Sequence, residues 1–164
     1  MEIRKIKASD SRLEISRIYE ESWKYAYRGM VPDAYLDSIP AGRWSSAMDT
    51  EGRYSLVLLD GDKMIGTSSY SASRFQESKG WGEIISLYLL PGYCGRGFGK
   101  LLLDEAVRGL KDLGFRDIFL YVLEENYRAR NFYERYGFVN SNEFAEDDIG
   151  GKTLRELKYI FTTE

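Results

Sequence analysis

The chain has 164 residues, 43% of them hydrophobic, with a net charge of −3, one cysteine and no histidine. That length fits one compact domain with a sizeable core, and the acidic balance disfavours a broad basic face for nucleic acid while suiting a cationic partner. A single Cys94 without histidine excludes an internal disulfide, a Cys/His metal cluster, a Ser-His-Asp triad and a Cys-His dyad, so no metal site is expected.

The amino terminus "MEIRKIKASD" lacks the apolar stretch of a signal peptide, and no apolar run reaches the roughly 18–20 residues of a membrane span. The expected location is the cytoplasm, with no membrane partner. Residues 2–7 read as a first strand. Ser11 and Glu14 form a capping box ahead of Ile15, Ile18, Tyr19 and Ser22, which predicts a helix over about 10–26. Gly29 and Pro32 break it, and Pro32, Asp33, Tyr35, Leu36 and Ile39 suit a second short helix. Two strand-like runs, 54–59 and 63–73, meet at Asp60-Gly61 and predict an antiparallel hairpin. A third run, 82–90, completes a meander.

Three glycines at every second position, Gly95, Gly97 and Gly99, then lead into a helix that places Leu102, Ala106, Leu110 and Leu113 on one face and ends at Gly114. "DIFLYVL", 117–123, reads as a buried strand parallel to 82–90, because a helical crossover joins them. A last helix, 127–136, stops at Gly137, and "FVNSNEFAE" and "KTLRELKYIF" read as closing antiparallel strands. The acidic "EFAEDDIGG" reads as a solvated loop. The fold class is α+β: a mixed, mostly antiparallel sheet of about seven strands with about four helices, in one domain spanning 1–164.

A strand that ends in a glycine turn and opens a helix presents free N–H groups and the positive end of the helix dipole to one point, which makes an anion site. Arg96 and Lys100 add positive charge beside it. A dinucleotide fingerprint starting at Gly95 would need glycine at 100, where Lys100 stands. A P-loop ending at Gly99-Lys100 would need Ser or Thr at Leu101 and glycine at Cys94. Both phosphate loops fail, which disfavours a nucleotide-binding module. Alone, the glycines could also be no more than a tight strand-to-helix turn.

"LYLLPGYCGRGFGKLLL" followed by "NYRARNFYERYGF" resembles the paired coenzyme A motifs of the GNAT superfamily, the acyl-CoA-dependent N-acyltransferases. The resemblance spans essentially the whole chain, and the seven-residue spacing from Asn126 to Tyr133 matches the family's asparagine and tyrosine. It implies acetyl-CoA as donor, with Leu87, Tyr88 and Leu89 offering backbone groups to the pantetheine arm. Gly95, Arg96, Gly97, Phe98, Gly99 and Lys100 would wrap the pyrophosphate, and Asn126 and Asn131 would line the far side of the cleft between the splayed fourth and fifth strands. Family members usually carry Gln or Arg where this chain has Cys94. Because backbone N–H groups make most phosphate contacts, binding should survive, with Cys94 a small, partly buried filler.

Acetyl transfer to an amine needs a base for the ammonium, a polarised carbonyl and a proton for the thiolate. Strand alternation puts Glu83 on the face of Ile85, Leu87 and Leu89, and its position relative to the glycine turn resembles that of the catalytic glutamate of several family members. Other members place the base one strand over, where this chain has Tyr121, or use ordered water. A main-chain N–H at Leu87 or Leu89 would polarise the carbonyl, and Tyr133 would protonate the sulfur, with direct attack in a ternary complex. Trp23, Tyr27, Arg28 and Tyr35, with Tyr70 opposite, are candidates for the wall of the acceptor pocket, which would suit a polyamine, an amino sugar or a peptide amine. A non-catalytic acyl-CoA-binding or sensor domain is the alternative. The sequence does not specify an oligomeric state, and a homodimer is compatible with it.

Overall fold

Seven strands form one sheet in the order β1-β2-β3-β4-β5-β7-β6 in the computed structural model, which describes residues 1–164. β1 (Glu2–Lys5), β2 (Tyr54–Asp60), β3 (Lys63–Ala72) and β4 (Gly82–Leu89) pair successively antiparallel, the β2–β3 hairpin closing at Asp60 and Lys63. β5 (Asp117–Leu123) is parallel to β4, and β7 (Lys152–Thr162) pairs antiparallel with both β5 and the edge strand β6 (Val139–Ile149).

α1 (Arg12–Ala26) begins at Ser11, whose Oγ accepts the Glu14 N–H as the capping pattern predicts. It buries Ile15, Ile18 and Tyr19 against β3 and β4. α2 (Asp33–Ser38) follows on the same face. The segment after α2 is tied to α1: Glu20 Oε2 accepts from Gly42 N at 2.9 Å, and Ser16 Oγ accepts from Trp44 N at 2.9 Å. α3 (Phe98–Asp112) covers the other face through Leu102, Leu103, Ala106, Val107 and Leu110. Leu113, expected in that stripe, is 43% exposed, because it caps the helix where the chain turns away at Gly114. α4 (Tyr127–Tyr136) lies beside α3, with Tyr136 OH donating to Asp104 Oδ1 at 2.9 Å.

Two expectations are corrected. The acidic stretch 143–149 is not a loop but the second half of β6, paired with β7 from Phe144↔Leu157 to Ile149↔Lys152, and only Gly150-Gly151 turns. Its carboxylates are mostly exposed, Asp147 also lining a cavity, while its backbone completes the sheet, the pattern of a charged edge strand. β4 also does not alternate simply. Its register against β3 steps from Tyr70↔Ile84 to Ser69↔Ser86, which leaves Ile85 as a bulge. Leu87 and Leu89 therefore share the α3 face with Ile84, and Glu83 shares the α1 face with Ser86 and Tyr88, whose side chains meet Tyr19 and Trp23.

Candidate active site

β4 and β5 pair only at Gly82↔Ile118 and Glu83↔Phe119 and then diverge. Beyond Glu83 the β4 edge has no neighbour on that side, so its remaining peptide groups there face open space. A cavity of about 1280 Å³ passes through this gap, from the glycine turn and α4 on one face of the sheet to α1 on the other. Leu87, Tyr88, Leu89, Cys94, Gly95, Gly97, Gly99, Lys100, Asn126 and Tyr133 all line it.

The glycine-turn end is electropositive. Gly97 is the N-cap of α3 at φ 87°, a left-handed conformation that side chains disfavour, and no side chain caps the helix, so its first-turn N–H groups stay free. Gly99 permits close approach, since a Cβ there would lie 3.4 Å from the Phe132 ring of α4. Arg128 in the first turn of α4 reaches over the turn, its Nη2 3.4 Å from where a Gly95 Cβ would stand. Its charge partly opposes the burial that pushes the Cys94 thiol up. Cys94 is half-buried, as a small filler should be. Asn126 caps α4, accepting the Ala129 N–H at 3.2 Å, and Arg130 fastens the helix to the sheet through Glu124 O at 2.7 Å and Tyr159 OH at 2.9 Å.

Other motif residues lie outside this cavity. Arg96 is exposed and stacks on the rings of Tyr93 and Phe98 at 5.3 and 5.2 Å. Phe98 opens α3 with its side chain in that stack, and Asn131 is exposed on α4.

Tyr133 lines the cavity from α4, and its hydroxyl makes no hydrogen bond within the protein. Burial pushes its phenol well up, with Tyr88 adding to the shift, so it stays protonated at neutral pH. Tyr27 is raised in the same way, chiefly by burial and then by Tyr133, with Glu156 a smaller contributor. Tyr88 accepts from Trp23 Nε1 at 3.1 Å.

The far end is aromatic and acidic. Trp23 packs against Tyr27 and Trp44 with ring centroids 4.9 and 5.2 Å apart, and Phe75 meets Tyr121 at 5.3 Å. Glu83 is buried at 1% exposure, but both its oxygens are held by Arg74: Nη2 at 2.6 Å on one, Nε and the backbone N at 3.1 Å on the other. Glu156, Asp147 and Glu125 also line the cavity, and no side chain in the protein pairs with any of them. Burial raises the Glu156 carboxyl, and the neighbouring Asp147 raises it further, while Arg74 acts against both. Arg53 also lines the cavity, donating from Nη1 to Ala47 O at 3.3 Å, with its Nε buried and unpartnered.

Of the residues expected in the acceptor wall, Trp23 and Tyr27 line the cavity and three do not. Arg28 lies just past α1 and pairs outward with Asp37 at 2.7 Å and Asp33 at 3.4 Å. Tyr35 packs against the Gly150 turn and the small core under α2. Tyr70 shares the α3 face of β3, buried at 2% exposure against Gly109 and stacked on Tyr54. Sequence reasoning missed Arg128, Arg74 and Glu156. Arg128 was signalled by its place in the first turn after the Asn126 cap, whereas Glu156 had no local signal in a charged strand.

The sequence pattern described as the acetyltransferase (GNAT) family matches residues 14–138. A spermidine N(1)-acetyltransferase of Thermoplasma acidophilum is 28% identical over 167 residues, covering 97% of this chain and 98% of that protein. An uncharacterised N-acetyltransferase of Archaeoglobus fulgidus is 32% identical over 138 residues, covering 81% of this chain and 89% of that one. A crystal structure of the PaiA N-acetyltransferase of Thermoplasma acidophilum in complex with coenzyme A shares the fold at a TM-score of 0.69 and 24% identity, covering 98% of this chain and all of that one. With a seven-stranded sheet split at β4–β5 and a family pattern over most of its length, the chain belongs to the GNAT family and is a GNAT-type acetyltransferase that uses acetyl-CoA.

Proposed function

We propose that the protein transfers the acetyl group of acetyl-CoA to a primary amine by direct attack in a ternary complex, and that the acceptor is a cationic amine of the polyamine type. The observation that carries this reading is the single cavity through the sheet, cationic and rich in free N–H groups at one end, aromatic and acidic at the other. The residues fit coenzyme A. The free β4 edge at Leu87 and Leu89 matches an amide-bearing arm, and the uncapped first turn of α3 with Lys100 and Arg128 matches a pyrophosphate.

Acetyl-CoA supplies an activated thioester and a thiolate leaving group. The protein supplies a main-chain N–H of β4 to polarise the carbonyl, and the Tyr133 phenol, held protonated by its burial, to protonate the sulfur. Glu83 contributes through its Arg74 pair, which fixes the segment after β3 beside the start of the gap. Accepting a proton there would mean breaking that pair. Trp23, Tyr27, Phe75 and Tyr121 form aromatic walls for an alkyl ammonium chain, and Asp147, Glu125 and Glu156 match its charges. The spermidine acetyltransferase among the relatives agrees with this class.

The test is thiol release from acetyl-CoA across spermidine, putrescine, glucosamine and a lysyl peptide, alongside thermal melts with acetyl-CoA, ATP and NAD. Stabilisation by acetyl-CoA alone and turnover fastest with spermidine or putrescine are expected. Turnover confined to the peptide or the sugar would overturn the acceptor class, and no turnover with any amine would overturn amine acetylation itself.

A further inference from the structure

Of the four carboxylates that line the cavity, Glu83, Glu125, Asp147 and Glu156, two stand on strands that flank β5 on the α1 face and could take the proton that the acceptor ammonium must lose, and these two are placed differently. Glu83 lies at the closed end of the gap with both oxygens engaged by Arg74. Glu156 lies one strand beyond β5, opposite Leu123, with no hydrogen bond or ion pair to its side chain. The register puts Glu83, Phe119, Tyr121, Leu123 and Glu156 on one face, since Glu83 pairs with Phe119 and Glu156 with Leu123. Glu156 is therefore level with the open part of the gap, where the cavity also receives Tyr27 and Tyr133.

The geometry points to Glu156 of β7 as the group that takes the proton from the acceptor amine. This rests on the amine-acetylation reading. Glu156 removes one proton from the bound ammonium and passes it to solvent through the open side of the cavity. The neutral nitrogen bonds to the acetyl carbon, and the carbon–sulfur bond breaks. Tyr133 gives its proton to the sulfur and regains one as the second amine proton is lost. The sum is one amide, one thiol and one proton released. Tyr27, whose phenol is raised by burial and by both Tyr133 and Glu156, lines the same cavity.

The charged and titratable groups facing Glu156 are Asp147 from β6, Arg74 from the segment after β3, Tyr27 from the end of α1 and Tyr121 from β5. Burial and Asp147 outweigh Arg74 and lift the carboxyl. A base works only when ionised, so activity is lost as pH falls through a value above the ordinary carboxylate range.

The experiment compares Glu156→Gln with Glu83→Gln, using the fastest amine of the panel, pH profiles of kcat/KM and carbon-13 titration of the glutamate carboxyls in the free protein. For Glu156→Gln we expect a loss of about 10²–10³ in kcat/KM at neutral pH. The acid limb should disappear, the high-titrating carboxyl resonance should vanish, and the melting shift with acetyl-CoA should be kept. Glu83→Gln should lower the melting temperature and keep the acid limb. An acid limb that survives in Glu156→Gln and is lost in Glu83→Gln would overturn the assignment in favour of Glu83. The absence of any carboxyl above the ordinary range that Glu156→Gln removes would also overturn it. Because the titration needs no acceptor, it judges Glu156 even if every amine fails and the function is misread.

Discussion

The two ends of the cavity are built by different means. At the glycine turn the working groups are mostly main chain: the unpaired edge of β4 and the free N–H groups at the start of α3. At the acceptor end they are side chains, drawn from α1, the segment after β3, β5, β6 and β7. A site made of backbone tolerates a changed side chain, so under the proposed function the half-buried Cys94 should leave donor binding intact. A site made of side chains from five parts of the chain can be redirected by a few substitutions without disturbing the sheet. Under the proposed function, donor recognition and acceptor choice are thus written in separate parts of the molecule.

Variants at each end sharpen that contrast. The largest effect is expected where the ends meet: Tyr133→Phe should lower kcat by roughly 10²–10⁴ while leaving acetyl-CoA affinity intact. An unchanged kcat would remove the phenol from the reaction. At the donor end, Gly97→Val forces a β-branched residue into a left-handed conformation that costs about 1–3 kcal/mol, although the added carbon meets nothing within 4 Å. Calorimetry should show acetyl-CoA bound at least about tenfold more weakly, with kcat at saturating donor preserved. Arg128→Ala should weaken acetyl-CoA by about tenfold, with less dependence on salt than in the wild type, as expected for a lost exposed cation. Equal losses for the amine would break the separation of the two ends.

The smallest change in rate is expected from Arg74→Ala, which should act on stability and pH. Glu83 would lose its partner, and with the Arg74 side chain 48% exposed the cost is about 1–3 kcal/mol, a fall in melting temperature of roughly 2–10 °C. Arg74 also holds the Glu156 carboxyl down, so its removal should raise that carboxyl further and move the acid limb to higher pH. A limb that moved to lower pH would contradict the placement of Arg74 beside Glu156.

Much of the fold was legible because local signals agreed with the tertiary result. The Ser11 cap, the hairpin at Asp60-Gly61, the stripe of α3 and the crossover to β5 each gave the observed element. The acidic half of β6 was not legible. Glu146, Asp147 and Asp148 have poor strand propensity, and their place is set by backbone pairing with β7, which no local pattern reveals. The extra residue at Ile85 was hidden as well, because Ile84-Ile85 looks like any apolar run, yet it decides that Glu83 looks towards α1 and Leu87 towards α3. The donor motif could be read because it is contiguous. The Glu83–Arg74 pair and the unpartnered Glu156 could not, since both depend on which strands become neighbours.

The seam between β4 and β5 carries a consequence for mechanics. Only two residue pairs stitch the β1–β4 half of the sheet to the β5–β7 half. A donor lying along the open edge of β4 stands where the next rungs of the ladder would be. If the donor binds there as proposed, it continues the ladder between two half-sheets that otherwise share only that short seam and one hydrophobic core, and amides on the β4 edge should exchange with solvent more slowly once the donor covers them. On that reading the substrate becomes a part of the sheet.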